Sequence, residues 1–181
     1  MYNLSPRILK PEIGEVGMEN KIKKKILWAT DLSKASLLAL GSTRMFRRIP
    51  EQTLVALHVV ENPLDPVYKP EETTPSKMVE HAVEVARERL TKIMDRCGLS
   101  EALHECEIII EVGAPEEKIL ETAEREKVWV ILMAKETKGL GKILGSVSEY
   151  VIDKAKCPVL IVGRKVDGSW LDIHHDLAEY E

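Results

Sequence analysis

Two short segments of the chain carry residue types that bind sugar and phosphate groups. The first is residues 29–33 (Ala-Thr-Asp-Leu-Ser), and the second is residues 138–146, with glycines at three positions: Gly139, Gly141 and Gly145. Glycines let a backbone approach an anion closely, and a helix that begins at the end of the second segment would present free N–H groups. The glycine spacing matches neither the dinucleotide fingerprint nor the P-loop. A flexible turn before an ordinary helix therefore explains the second segment about as well as a phosphate-binding loop does.

Asp31 and His58 each have a structural and a functional interpretation. Asp31 could cap the first helix or a turn beside it, which is the commoner role of aspartate there. It could instead accept hydrogen bonds from a ribose or an adenine edge. His58 stands within an apolar run, which favours a buried histidine with hydrogen-bond partners over a ligand-binding one. The sequence shows no nucleophile–base pair, so the residues alone predict no catalysis.

Composition excludes several classes of protein. The chain has 181 residues, 44% of them hydrophobic and 31% charged, with a net charge of −4. Such a chain can bury a core, and it lacks the basic surplus that nucleic-acid binding needs. No apolar run could cross a bilayer, and no secretion signal is visible. Three scattered cysteines predict small buried residues in a reducing cytosol, with no metal site. We therefore expect a cytoplasmic protein that binds neither nucleic acid nor membrane.

Apolar runs and amphipathic stretches alternate along the chain, and they would position both segments. The apolar runs predict buried strands, and the stretches between them, which begin near Ser33, Pro75, Pro115 and Gly145, predict helices. This alternation is typical of an α/β fold, a three-layer α/β/α sandwich around a five-stranded parallel sheet. Ligands of such sheets bind beyond the carboxyl ends of the strands. The predicted strands are residues 24–30, 53–60, 105–112, 128–134 and 158–162.

The sequence divides into one domain with two extensions. Residues 1–22 have no apolar periodicity and predict a flexible arm, and the start could be Met1 or Met18. Residues 23–164 hold all the predicted strands. Residues 165–181 place Trp170 and two later aliphatic residues on one helical face, which predicts a short appended helix.

Several segments, taken in order, resemble the universal stress protein family. Residues 26–33 (Ile-Leu-Trp-Ala-Thr-Asp-Leu-Ser) resemble its opening strand and Asp-x-Ser turn, and residues 57–60 resemble its second strand. Residues 112–119 are similar to its Val-Gly-x-Pro-x-Glu-x-Ile turn. Residues 145–149 and 157–162 are similar to its closing helix and strand. The resemblance implies a strand order of 3-2-1-4-5, of the adenine nucleotide alpha hydrolase-like kind, and a homodimer.

The resemblance also implies a site for ATP or AMP, with Mg²⁺ accompanying ATP, between the first and fourth strands. It implies slow hydrolysis of ATP at most. Nucleotide-binding members have a Gly-x-x-Gly turn before a Gly-Ser or Gly-Thr pair. Here Gly145 and Ser146 match the pair, whereas Leu132 or Ala134, depending on the alignment, holds the place of the first glycine. The positions that the resemblance assigns to the nucleotide are Ala29, Thr30, Asp31, Val59, Met133, Ala134, Lys135, Gly141, Gly145, Ser146, Val147 and Ser148.

Two functions therefore compete. One is a stress-response homodimer that binds adenine nucleotide weakly, and the other is a dimeric interaction protein of the same fold that binds no nucleotide and has an unknown protein partner. In both, the last strand is an apolar edge that pairs with its copy, because an uncovered apolar edge is an aggregation risk. Alternatively, the predicted helix of the tail, around Trp170, covers the edge of the last strand. The predicted dimer residues are Pro158, Val159, Leu160, Ile161 and Val162.

Overall fold

The structure is a computed structural model that describes residues 24–43, 52–68, 74–96, 105–135 and 144–163. The strands are β1 (Lys24–Thr30), β2 (Gln52–Val60), β3 (Glu105–Val112), β4 (Val130–Ala134) and β5 (Val159–Val162). The helices are α1 (Lys34–Gly41), α2 (Pro75–Arg96), α3 (Pro115–Arg125) and α4 (Ser146–Lys154), and a 3-10 helix spans Pro66–Tyr68.

The five strands form one parallel sheet in the order β3-β2-β1-β4-β5. This confirms both the predicted fold class and the strand order implied by the resemblance. The register pairs Thr30 with His58 and Trp28 with Leu132. The last residues of β1, β2 and β4 consequently meet at one edge of the sheet, where residues 29–33 of the first segment also lie.

Alternate residues of β1 enter separate cores on the two faces of the sheet. Ile26 and Trp28 pack in the core that contains the buried side chains of α1 and α2, whereas Leu27 and Ala29 pack with those of α3 and α4. This alternation is the period of two that strands require. Trp28 is fully buried, and its indole N–H donates to the carbonyl of Ser36 at 3.0 Å. The indole thereby anchors the start of α1 to β1.

Three predicted boundaries differ from the structure. β2 begins one residue earlier, at Gln52, and β5 begins at Val159. β4 begins at Val130 rather than Val128, because the preceding residues form the exit of α3. There Lys127 has a left-handed φ of 52°, and the Val128 amide donates to Ala123 O at 3.0 Å. In the sequence, an apolar run alone does not distinguish the residues of such a turn from those of a strand.

Some predictions fall outside the described residues. They are the arm (1–22), the tail (165–181), Gly141 and the end of the first helix beyond residue 43. Within the described part, no helix is long and apolar enough to cross a membrane. Cys106 and Cys157 are free thiols, and burial raises the pKa of Cys106 to about 11, which suits a structural rather than a reactive residue.

Candidate functional site

An open cleft of about 230 Å³ lies at the carboxyl edge of the sheet, over the ends of β1, β2 and β4. Its walls come from those strand ends, from the turn after β1, and from the first turns of α3 and α4. Ala29, Val59 and Met133 provide an apolar wall, and Pro115 and Ile119 of α3 face the same space. Parallel α/β proteins bind their ligands in this place.

Most of the residues that the resemblance assigned to a nucleotide meet at this cleft. Lys135, Gly145 and Ser146 are described but do not line it, and Gly141 lies outside the described residues. The Lys135 amide donates to Val162 O at 2.7 Å, and Gly145 is the N-cap of α4. Their contact with a ligand stays a prediction. The assigned residues that line the cleft are Ala29, Thr30, Asp31, Val59, Met133, Ala134, Val147 and Ser148.

The Thr30 hydroxyl is committed to the protein itself. Ser36 Oγ donates to Ser33 O at 2.9 Å, so it must accept from the Thr30 hydroxyl 2.8 Å away. Thr30 Oγ1 also accepts from the Leu32 amide at 3.0 Å. A hydroxyl has one proton, and here that proton is used. The Thr30 hydroxyl therefore has no proton left to donate to a ligand.

Asp31 stabilises the turn between β1 and α1. Its Oδ1 accepts from the Ser33 amide at 2.9 Å, while Ser33 itself is the N-cap of α1 and accepts from Ser36 N. Between them Leu32 has a left-handed φ of 62°. Partial burial would raise the pKa of Asp31, but hydrogen bonds from Ser33 and Ser36 outweigh it and lower that pKa. The structural interpretation is confirmed for the turn, and the ionised carboxylate also lines the cleft.

His58 is a buried histidine with a partner on each ring nitrogen, as the sequence predicts. Nδ1 lies 2.9 Å from Thr30 O, and Nε2 lies 3.2 Å from the Tyr68 hydroxyl. A carbonyl oxygen only accepts, so Nδ1 carries the proton and Nε2 accepts from Tyr68. Burial lowers the pKa of His58, which keeps the ring neutral at physiological pH.

Sequence reasoning missed several lining residues because they reach the cleft through tertiary neighbours. Pro115 and Ile119 arrive there because the turn before α3 crosses the end of β2, where the Gly113 amide donates to Val60 O at 3.1 Å. Gly113 has a φ of 140°, which favours glycine. In the sequence, only the Gly-x-Pro turn at residues 113–115 indicated that the start of α3 would lie near the end of a strand. The lining residues that the sequence did not assign to a nucleotide are Ser33, Ser36, Leu57, His58, Glu61, Pro115 and Ile119. Of these, Ser33 belongs to the first segment and His58 has the structural interpretation given above.

The fold and the cleft together define a parallel α/β protein with an open cleft at the reversal of winding, beside β1 and β4. Comparison with known proteins makes this more specific. Residues 23–163 match the model of the universal stress protein family. The chain belongs to that family, as its motifs indicated.

Relatives share most of the chain's length. The universal stress protein MJ0577 of Methanocaldococcus jannaschii is 31% identical over 157 residues, which cover 78% of this chain and 96% of the relative. A solved structure of MJ0577 superimposes with a TM-score of 0.66 and 32% identity, covering 80% of this chain and 98% of that one.

Two more distant solved structures share the fold. A family protein from Arabidopsis thaliana, At3g01520, was solved with AMP bound; it has a TM-score of 0.54 and 20% identity and covers 80% of this chain and 94% of that one. A universal stress protein in complex with cAMP has a TM-score of 0.59 and 20% identity, and the match covers 77% of this chain and 96% of that one.

Proposed function

We propose that this universal stress protein binds adenine nucleotide weakly, through the nucleoside end, and acts as a homodimer. The observation that carries the proposal is the cleft, which joins the apolar wall of Ala29, Val59 and Met133 to the ionised Asp31. An apolar slot suits the faces of a base, and a carboxylate at a strand end suits ribose hydroxyls. The family members solved with AMP and with cAMP support an adenine ligand here.

The base would lie near Ala29, Thr30 and Val59, with the ribose toward Asp31. The apolar residues of this end are already in place, and its backbone is held by the hydrogen bonds of Thr30. The cleft is open to solvent, so a nucleotide held at this end would extend out of it toward the first turn of α4.

The phosphates would meet the first turn of α4, at Gly145, Ser146 and Val147. Helix N-termini attract anions, by about 0.3–1 kcal/mol at exposed sites and up to about 2 kcal/mol when partly buried. The missing Gly-x-x-Gly turn removes backbone donors from this end. Lys135 could replace part of that attraction, but a lysine lacks the fixed geometry of backbone amides.

Mg²⁺ would enter this site only with ATP. Among the described residues, no three His, Cys, Asp or Glu side chains lie together as a metal site. Phosphate oxygens and water would therefore supply most ligands, as is usual for this ion. Asp31 and Glu61 are the carboxylates that line the cleft.

Titration calorimetry with AMP, ADP and ATP tests the proposal. We expect AMP to bind nearly as well as ATP, because the better-formed half of the site contacts the nucleoside. ATP binding more than about tenfold tighter than AMP, roughly 1.4 kcal/mol, would show that the phosphates dominate. The absence of binding by all three at millimolar concentration would overturn nucleotide binding.

The second candidate is a dimeric interaction protein that binds no nucleotide. The specific observation in its favour is that the family's first loop glycine is replaced by a strand residue, either Leu132, which is fully buried, or Ala134. Both candidates share the dimer. β5 supports a dimer because it is the edge strand beside β4, and its Val159, Leu160 and Ile161 are only partly buried.

A further inference from the structure

His58 joins the cleft to a surface turn that the proposed nucleotide would not touch. The turn is residues 62–68, which end in the 3-10 helix. Internal hydrogen bonds of 3.1 Å (Asp65 N to Asn62 O) and 2.9 Å (Tyr68 N to Asp65 O) keep it compact. Arg89 of α2 donates to Val67 O at 2.8 Å. The turn therefore has a defined position on β2 and α2.

On its other side, His58 caps the end of β1. Thr30 is the last residue of β1, and beyond it the chain enters the Asp31 turn with its left-handed Leu32. The Nδ1–H of His58 binds the Thr30 carbonyl at 2.9 Å, and both residues are 6% exposed. A buried carbonyl needs such a donor, and this one fixes the peptide that forms the floor of the cleft.

We propose that His58 is a positioning residue of the nucleotide cleft, which holds the Thr30–Asp31 peptide in its binding geometry and ties it to the turn at residues 62–68. The inference rests on the proposed function and deepens it. A change at Tyr68 would reach the cleft through the ring, and a ligand against Thr30 would stabilise the turn in return, because coupling between two sites is reciprocal.

The two hydrogen bonds of His58, to Thr30 O and from the Tyr68 hydroxyl, require the neutral ring. A protonated Nε2 could no longer accept from Tyr68, whose hydroxyl is buried and would need another acceptor. A positive ring would also attract Asp31, the carboxylate expected at the ribose. The groups that act on the ring's charge are Asp31, which favours it, and Arg89, which disfavours it. On β3 the paired residue is the apolar Ile110, and Glu61 also lines the cleft.

The sign of the pH dependence follows from the lowered pKa of His58. The unfolded chain binds a proton at the usual histidine pKa, whereas the folded chain resists it. The stability that His58 provides is therefore complete above the usual pKa, about 6.5, and is lost as pH falls from there toward the folded value.

Two substitutions separate the two bonds of the ring. In His58→Asn the amide nitrogen takes the place of Nδ1 and keeps the bond to Thr30 O. In His58→Gln the amide oxygen takes the place of Nε2 and accepts from Tyr68, so only that contact is kept. At about pH 7.5 we expect the AMP affinity of the Asn variant to stay closer to that of the wild type than the Gln variant's does, because Asn loses only the link to Tyr68. We expect the Gln variant to bind AMP roughly two- to tenfold more weakly, the effect of one hydrogen bond.

A second measurement needs no nucleotide. NMR shifts of the His58 ring nitrogens should show the Nδ1–H tautomer in the wild type, and in Tyr68→Phe the ring should protonate at a higher pH, because the bond that favours the neutral form is gone. An Nε2–H tautomer, or Asn and Gln variants with equal AMP affinity, would overturn the inference and leave the proposed function standing. A wild type that binds no AMP at millimolar concentration would overturn both.

Discussion

Val159→Pro is expected to turn a homodimer into a monomer without unfolding the sheet. The amides of Ile131 and Lys135 in and after β4 donate to Pro158 O and Val162 O, at 3.0 and 2.7 Å. In a parallel ladder, alternate residues bond to the same neighbour. The backbone groups of Val159 and Ile161 therefore point away from β4, toward the open edge where a second copy would pair.

Proline at position 159 removes one of these outward N–H groups and leaves every bond to β4 in place. Edge strands tolerate proline where the lost N–H faces outward. Light scattering at micromolar concentration should give twice the monomer mass for the wild type and for Val159→Ala, which keeps the N–H, and the monomer mass for Val159→Pro. Thermal melting of each variant reports whether the fold is intact.

Three outcomes would contradict this account of the edge. A wild type that is monomeric, and stays so after deletion of residues 165–181, would exclude the dimer. A monomer that dimerises after that deletion would show that the tail covers β5. A dimeric Val159→Pro variant would place the interface elsewhere on the molecule.

Ser146→Glu is expected to abolish most of the contribution that the phosphates make to binding. Ser146 is the exposed first residue of α4, where a glutamate suits the helix dipole, so the fold should be retained. A unit charge about 4 Å from a phosphate costs roughly 1 kcal/mol in water and about 4 kcal/mol near a protein surface. Affinity for AMP and ATP should therefore fall about tenfold or more, whereas adenosine should bind unchanged.

Ile152→Glu is the matched control for this charge. Ile152 lies on the same helix and is 44% exposed, but it does not line the cleft. We expect its affinity for ATP to stay near that of the wild type. An equal loss of ATP affinity in both variants would mean that the net charge of the protein, not the first turn of α4, governs binding. A loss of adenosine binding in Ser146→Glu would place the base where we expect the phosphates.

The sheet could be predicted because its central strands are buried on both faces. Residues 26–29 of β1 and 54–57 of β2 are continuous apolar runs, which a parallel sheet covered on both faces favours. The start of β4 could not be predicted, because Val128 and Trp129 are as apolar as the strand itself. Their place in a turn depends on the left-handed Lys127 and on the Trp129 amide, which donates to Lys25 O at 2.8 Å. That contact spans about a hundred residues of sequence.

The site could be predicted in part, for a related physical reason. Asp31 and Val147 belong to local motifs that a sequence displays. Ser36 and His58 enter the cleft only because α1 folds back over β1 and because β2 pairs in register with it. The commitment of the Thr30 hydroxyl to Ser36 depends on the same packing. Local patterns show which residues could bind, whereas the tertiary hydrogen bonds show which polar atoms remain for a ligand.

An amide NMR titration with AMP tests the central claim most directly, because it reports whether the nucleotide binds and where. The account predicts saturable shifts at Ala29, Asp31, Val59 and Ser148, with Tyr68 following through His58. Residues around Cys157, which lie at the amino ends of the strands, away from the cleft, should not shift and serve as the internal control. Shifts clustered around Cys157, or no shifts at millimolar AMP, would contradict the assignment of this cleft as an adenine-nucleotide site.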